Sequence, residues 1–153
     1  MSKSRLLLKL GAYCNFGIAL LHLMFIVARE KELRYFGAPI WVLDLHRERR
    51  GAFVLLLIGM ACVFVLVALY ALSGAGSIRR LPLLRTCLVV IGAIFALRGL
   101  LVIAEVIIIV RRYSGDYLQY VHFPVMSLFA LCVGFFYLAG AAGNWSSLKP
   151  VRE

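Results

Sequence analysis

The chain is 153 residues long, carries a formal net charge of +10, and is 63% hydrophobic with a mean hydropathy of +0.95. Soluble domains stay near about 45–50% apolar and about 25% charged, so a charged fraction of 16% excludes an ordinary soluble helical bundle. The positive charge does not point to nucleic acid either. Lys and Arg gather in short clusters at the ends of apolar segments, and no basic face with interleaved aromatics is available to follow a phosphate backbone.

Four apolar segments, 10–28, 51–73, 86–110 and 121–143, hold only two of the charged side chains, Arg98 and Glu105. Each is long enough to cross a hydrocarbon core of about 30 Å at about 1.5 Å per residue. Lipid offers the backbone no hydrogen bonds, so these segments should be helical. The predicted fold is all-α: an integral membrane four-helix bundle, a single membrane domain over 1–153 with a polar loop at 29–50.

Lys3 and Arg5 precede the first segment as they would a signal peptide. The apolar run nevertheless continues to Ala28, past an h-region of about 7–15 residues, and no small-x-small cleavage site follows, so it reads as an uncleaved span. In the 29–50 loop, Arg29 to Arg34 reads as an extension of helix one beyond the membrane. Gly37-Ala38-Pro39 breaks it, and Ile40 to Arg50 reads as a short interfacial helix with Trp41 and Leu45 on its apolar side. Ser73-Gly74 and Gly76 end the second span, with Pro82 beyond them. Asp116 and Gln119 form an N-cap and N3 pair before the fourth span, and Pro124, about two turns into it, should bend it.

Aromatic residues collect at the ends of the spans in two belts: Tyr35, Trp41, Tyr113, Tyr117 and Tyr120 on one side, Tyr13, Tyr70 and Trp145 on the other. The basic end clusters suit anionic lipid head groups. Lys and Arg divide equally between the two sides, but acidic residues concentrate on the 29–50 side, leaving +7 against +3 outside the spans. Both termini are therefore expected in the cytoplasm. Cys14, Cys62, Cys87 and Cys132 form no CxxC pair and read as small hydrophobes, not as a dithiol motif or a zinc finger.

The stretch from Leu69 to Arg85, with its Ser-Gly-Ala-Gly to Leu-Pro-Leu-Leu-Arg connection, resembles small uncharacterised four-span inner-membrane proteins of proteobacteria. So do Leu21-His22-Leu23 and Tyr35-Phe36-Gly37-Ala38 before it. The resemblance implies a fold and an inner-membrane location. It implies no activity and assigns no functional residue.

The informative residues are polar ones at membrane depth. Arg98 and Glu105 are seven residues apart in the third span and so face one direction, and Asn15 and His22 repeat that spacing in the first. Counted back from the charged residue ending each span, His22 and Glu105 share a level about 10 Å deep, and Asn15 and Arg98 share one about 20 Å deep. Two matched layers suggest that helices one and three meet along these faces. Glu105 would then be the titrating group, His22 its proton partner, and Arg98 a fixed cation about 10 Å from Glu105. The same four residues also suit a purely structural role, pinning one helix to another.

His122 and His46 lie toward the same side, and with His22 and Glu105 they supply donor types for a metal or haem. No His-x-x-His or Glu-x-x-His spacing supports it. No nucleophile motif such as Gly-x-Ser-x-Gly occurs, so the reading leans away from an enzyme and specifies no cofactor. Small-residue pairs (Gly92 with Ala96, Ala130 with Gly134, Ala139 with Gly143) suit a bundle interior or a homo-oligomer equally. The expected function is binding, with transport as an extension, of a small polar or protonatable ligand at the intramembrane polar site. The alternatives are an accessory or assembly subunit of a larger membrane complex, and a haem, metal or quinone redox protein.

Overall fold

The structure, a computed structural model, describes residues 2–112, 120–145 and 148. It is all-helical among these residues: α1 (Lys3–Met24) continues into a 3₁₀ turn (Phe25–Val27), then come α2 (Glu30–Tyr35), α3 (Ile40–Glu48), α4 (Arg50–Gly74), α5 (Leu84–Arg112) and α6 (His122–Gly143). Four helical stretches, Lys3–Val27, Arg50–Gly74, Leu84–Arg111 and His122–Gly143, are long and apolar enough to cross a membrane. The chain is thus a multi-pass membrane protein with four long apolar helices, as its composition requires. The polar end of α1 starts well before residue 10 because Lys3, Arg5 and Lys9 continue the helix beyond its apolar part. The Asp116–Gln119 cap and the belt residues Tyr113 and Tyr117 lie outside the described residues.

Two compact units partition the chain: Asn15–Leu66, and the amino-terminal stretch to Cys14 together with the chain from Val67 onward. In the latter unit, pieces of all four long helices pack around Leu8, Ala12, Ala71, Leu88, Val133 and Tyr137, all fully buried. The closest approach is between α5 and α6. A Cβ on Gly134 would lie 2.6 Å from the backbone nitrogen of Ala96, and one on Gly99 would lie 2.5 Å from that of Leu131. Only glycine admits backbones so near one another. The small residues Gly92, Ala96 and Gly134 are therefore spent inside the bundle. The buried Tyr137 hydroxyl donates to the Val67 carbonyl at 3.0 Å, tying α6 to α4 and satisfying the phenol in an apolar setting. Gly76, at φ +73°, ends α4 in a Schellman motif, its N–H bonding Ser73 O while Ser77 N–H bonds Leu72 O. Ser73 completes the turn, donating to Arg79 O at 3.1 Å and accepting from Leu81 N–H at 2.9 Å.

In the Asn15–Leu66 unit, the expected continuation of helix one through Arg34 does not occur. Ala28 and Arg29 are extended. Glu32 reaches back to accept the Arg29 backbone N–H at 2.7 Å, and this satisfied N-terminus starts α2 as a separate helix. Gly37, at φ +78°, closes α2 in a second Schellman motif, with Ala38 N–H on Leu33 O and Gly37 N–H on Arg34 O. Pro39 then occupies the N-cap of α3. That helix forms as expected, over Ile40–Glu48. Val42 and Leu43 are buried with Leu33, Phe53 and Leu57, and Leu45 packs against them, whereas Trp41 is 59% exposed. Pro124 does not stand two turns into a helix: α6 begins at His122, so Pro124 lies in the first turn, where its missing N–H costs no helical bond.

Candidate functional site

The polar residues of the third span are brought together, but in a way that spacing alone does not show. Arg98 sits at the middle of the Leu84–Arg111 span, about 20 Å from either end, and Glu105 about 9 Å from Arg111. A separation of seven residues along one helix was expected to hold the two apart. Instead Arg98 Nη1 lies 3.3 Å from Glu105 Oε1. The guanidinium stem is long, and Glu105 leans toward the helix N-terminus as helical side chains do, which together close the two turns.

The residue that completes the site is Ser127 of α6, fully buried. Its hydroxyl accepts from Arg98 Nη1 at 2.5 Å and donates to Glu105 Oε2 at 2.6 Å. One hydroxyl thus uses a lone pair and its proton to link cation and carboxylate across the α5–α6 contact. The close backbone approach at Gly99 and Gly134 puts α6 near enough for so short a side chain to reach. Ser127 carries no nucleophile signature in the sequence, since no His-Asp pair accompanies it. The available signal was the single serine inside the fourth span, a few residues from its polar start, on a helix antiparallel to the charged one.

Both Nη1 hydrogens of Arg98 are committed. Nε and Nη2, three donors in all, have no hydrogen-bond partner among the described residues, and the side chain is 45% exposed against 22% for Glu105. The cluster therefore presents one face of a guanidinium at mid-membrane depth.

Asn15 and His22 belong to the Asn15–Leu66 unit. Asn15 is fully buried. His22 Nδ1 hydrogen-bonds the Ile18 carbonyl at 2.8 Å, one turn back on its own helix, and its ring lies 5.0 Å from that of Phe64 and 6.2 Å from that of Phe25. His46 meets Phe53 edge-on at 4.9 Å, and the half-buried His122 lies against Phe123 at 4.2 Å. Within neither unit do three His, Cys, Asp or Glu side chains converge among the described residues. All four cysteines are free thiols.

No protein-family model, curated protein or solved structure matches the chain. The functional reading therefore rests on the physical chemistry of the cluster.

Proposed function

We propose that this membrane protein binds a small polar ligand with an anionic or protonatable group at its intramembrane polar site, with transport as an extension of that binding. The site is the free edge of Arg98. Ser127 and Glu105 are positioning residues: they hold the guanidinium by one nitrogen and leave the other two facing outward. The observation that carries the reading is the set of three uncommitted donors on an arginine half-exposed at mid-span. A charged group at the bilayer centre costs at least about 2.5–3.5 kcal/mol even on the gentlest scales, so a partner for its exposed edge is strongly favoured. A carboxylate or phosphate group matches a guanidinium fork in two parallel hydrogen bonds. The reading includes an inner-membrane location with cytoplasmic termini, and kinship with small four-span proteobacterial membrane proteins.

The test is thermal unfolding of the purified protein with a panel of small anions, acetate, benzoate and inorganic phosphate. At least one should raise the melting temperature by about 2–4 °C at saturating concentration. The shift should vanish in the double variant Arg98→Met with Glu105→Gln, which removes both charges together. A shift that survives in the double variant, or none with any anion, overturns the reading. The latter result would favour the assembly-subunit alternative, in which a carboxylate on another chain covers Arg98.

A further inference from the structure

A second site stands apart from the polar cluster, in the Asn15–Leu66 unit. The end of α1, the α2–α3 loop and the first turns of α4 enclose a cavity of about 350 Å³ lined by His22, Phe25, Phe36, Trp41, Phe53 and Leu57, among others. Ligand pockets run from about 300 to 1,000 Å³, so this one suits a small ring compound rather than an extended chain. Aromatic rings form much of its wall, with Phe25 and Phe36 at 5.0 Å and inclined by 56°, and they offer both faces and edges to a planar guest. The unit's own core, Leu33, Val42 and Phe53, forms its floor.

One lining group can fix the orientation of such a guest. The Ile18 carbonyl can only accept, so His22 Nδ1 carries the hydrogen of their 2.8 Å bond. In the neutral imidazole Nε2 is then a lone-pair acceptor, and it has no hydrogen-bond partner among the described residues. Trp41, also on the wall, can donate but not accept. His22 lies five residues before the end of the apolar Lys3–Val27 stretch, within about 10 Å of that end and so within reach of molecules that partition into lipid.

We propose that this cavity binds a hydroxylated aromatic ring, the class to which phenols and quinols belong, with the ring among Phe25, Phe36 and Trp41 and the hydroxyl donating to His22 Nε2. The site is independent of the Arg98 cluster and stands whether or not that cluster binds an anion.

The test uses the full chain in detergent micelles with Trp145→Phe, so that Trp41 alone reports by fluorescence. The quencher 4-bromophenol is compared with 4-bromoanisole, which has the same ring and bromine but no donor. Quenching by 4-bromophenol should saturate, with an affinity about fivefold tighter than that of the ether, the worth of one hydrogen bond. In His22→Phe the two probes should bind equally. Linear, unsaturable quenching, equal affinities in the His22 protein, or a preference that persists in His22→Phe would each overturn the proposal. The two-probe comparison in the His22 protein decides it even where His22→Phe fails to fold.

Discussion

At the scale of single residues, the Arg98–Ser127–Glu105 linkage sets what substitutions should do. Glu105→Gln keeps the shape but removes the charge that balances Arg98, and breaking a fully buried pair costs about 3–5 kcal/mol. Arg98 is 45% exposed, so the expected loss is smaller, about 1–3 kcal/mol, and Arg98→Met added to Glu105→Gln should recover most of it. Ser127→Ala leaves Arg98 and Glu105 with only their 3.3 Å contact and should cost about 1–2 kcal/mol. Melting temperatures of the four proteins check the set. A Glu105→Gln protein as stable as the parent would mean that the linkage contributes no ionic stabilisation. Much of this site was legible in the sequence: two charges in an otherwise uncharged span announce themselves, and their spacing puts them on one face. What was not legible was the distance, because helical rise fixes Cα positions and says nothing of how far an arginine bends. Ser127 was hidden for a related reason, since a contact between helices depends on how closely two backbones approach.

At the scale of elements, ends and breaks decided more than propensity did. Arg29 to Arg34 has the composition of a helix extension, yet Glu32 satisfies the Arg29 N–H and starts a new helix, a contest between two local solutions that composition cannot rank. Gly37 and Gly76 were readable because only a positive φ closes each Schellman turn. The 29–50 segment also has an acid-sensitive fastening. Glu30 accepts from Arg47 Nε at 2.7 Å and from Arg34 Nε at 2.8 Å, and these guanidinium hydrogen bonds lower its carboxyl to about 2 from an ordinary 4.5. Glu32 is lowered too, first by the Arg29 backbone N–H and then by the Arg29 side chain. A depressed folded-state value means that the stabilisation is present above the unfolded value and is lost as pH falls toward the folded one. Between about pH 5 and pH 2, amide protection across 30–48, referred to the intrinsic exchange rate at each pH, should therefore fall, and Glu30→Gln should remove much of that dependence. An unchanged acid profile in Glu30→Gln would assign the effect to other carboxylates. The α5–α6 contact supplies a second expectation: Gly134→Val places a branched side chain where a Cβ alone meets Ala96 N at 2.6 Å, so the loss should exceed the usual 1–3 kcal/mol of overpacking, about 3 kcal/mol or more. A melting temperature near that of the parent would contradict the observed backbone approach.

At the scale of the whole molecule, the membrane environment was the most legible property, because 63% apolar content and charge confined to segment ends have no soluble solution. Orientation is less determined, and the reason is physical: the positive-inside preference counts Lys and Arg, and these divide evenly between the two sides. The acidic residues break the tie only in net charge, a weaker lever. Part of that lever is spent in local pairs, since Glu30 and Glu32 hold Arg29, Arg34 and Arg47. Those three arginines are paired to carboxylates, so they offer less free positive charge to anionic lipid head groups than Lys3 and Arg5 do. The proposed orientation, with the amino terminus and the 75–83 turn cytoplasmic, therefore depends on that pairing. Reporter fusions at Gly76 and Gly37, both at exposed turns with positive φ, should give cytoplasmic and external signals respectively. Glu30→Gln together with Glu32→Gln frees the three arginines and should shift a measurable fraction of molecules toward the inverted topology. A Gly76 fusion reporting the external side in the parent protein would reverse the orientation, and the cavity beside His22 would then open toward the cytoplasm.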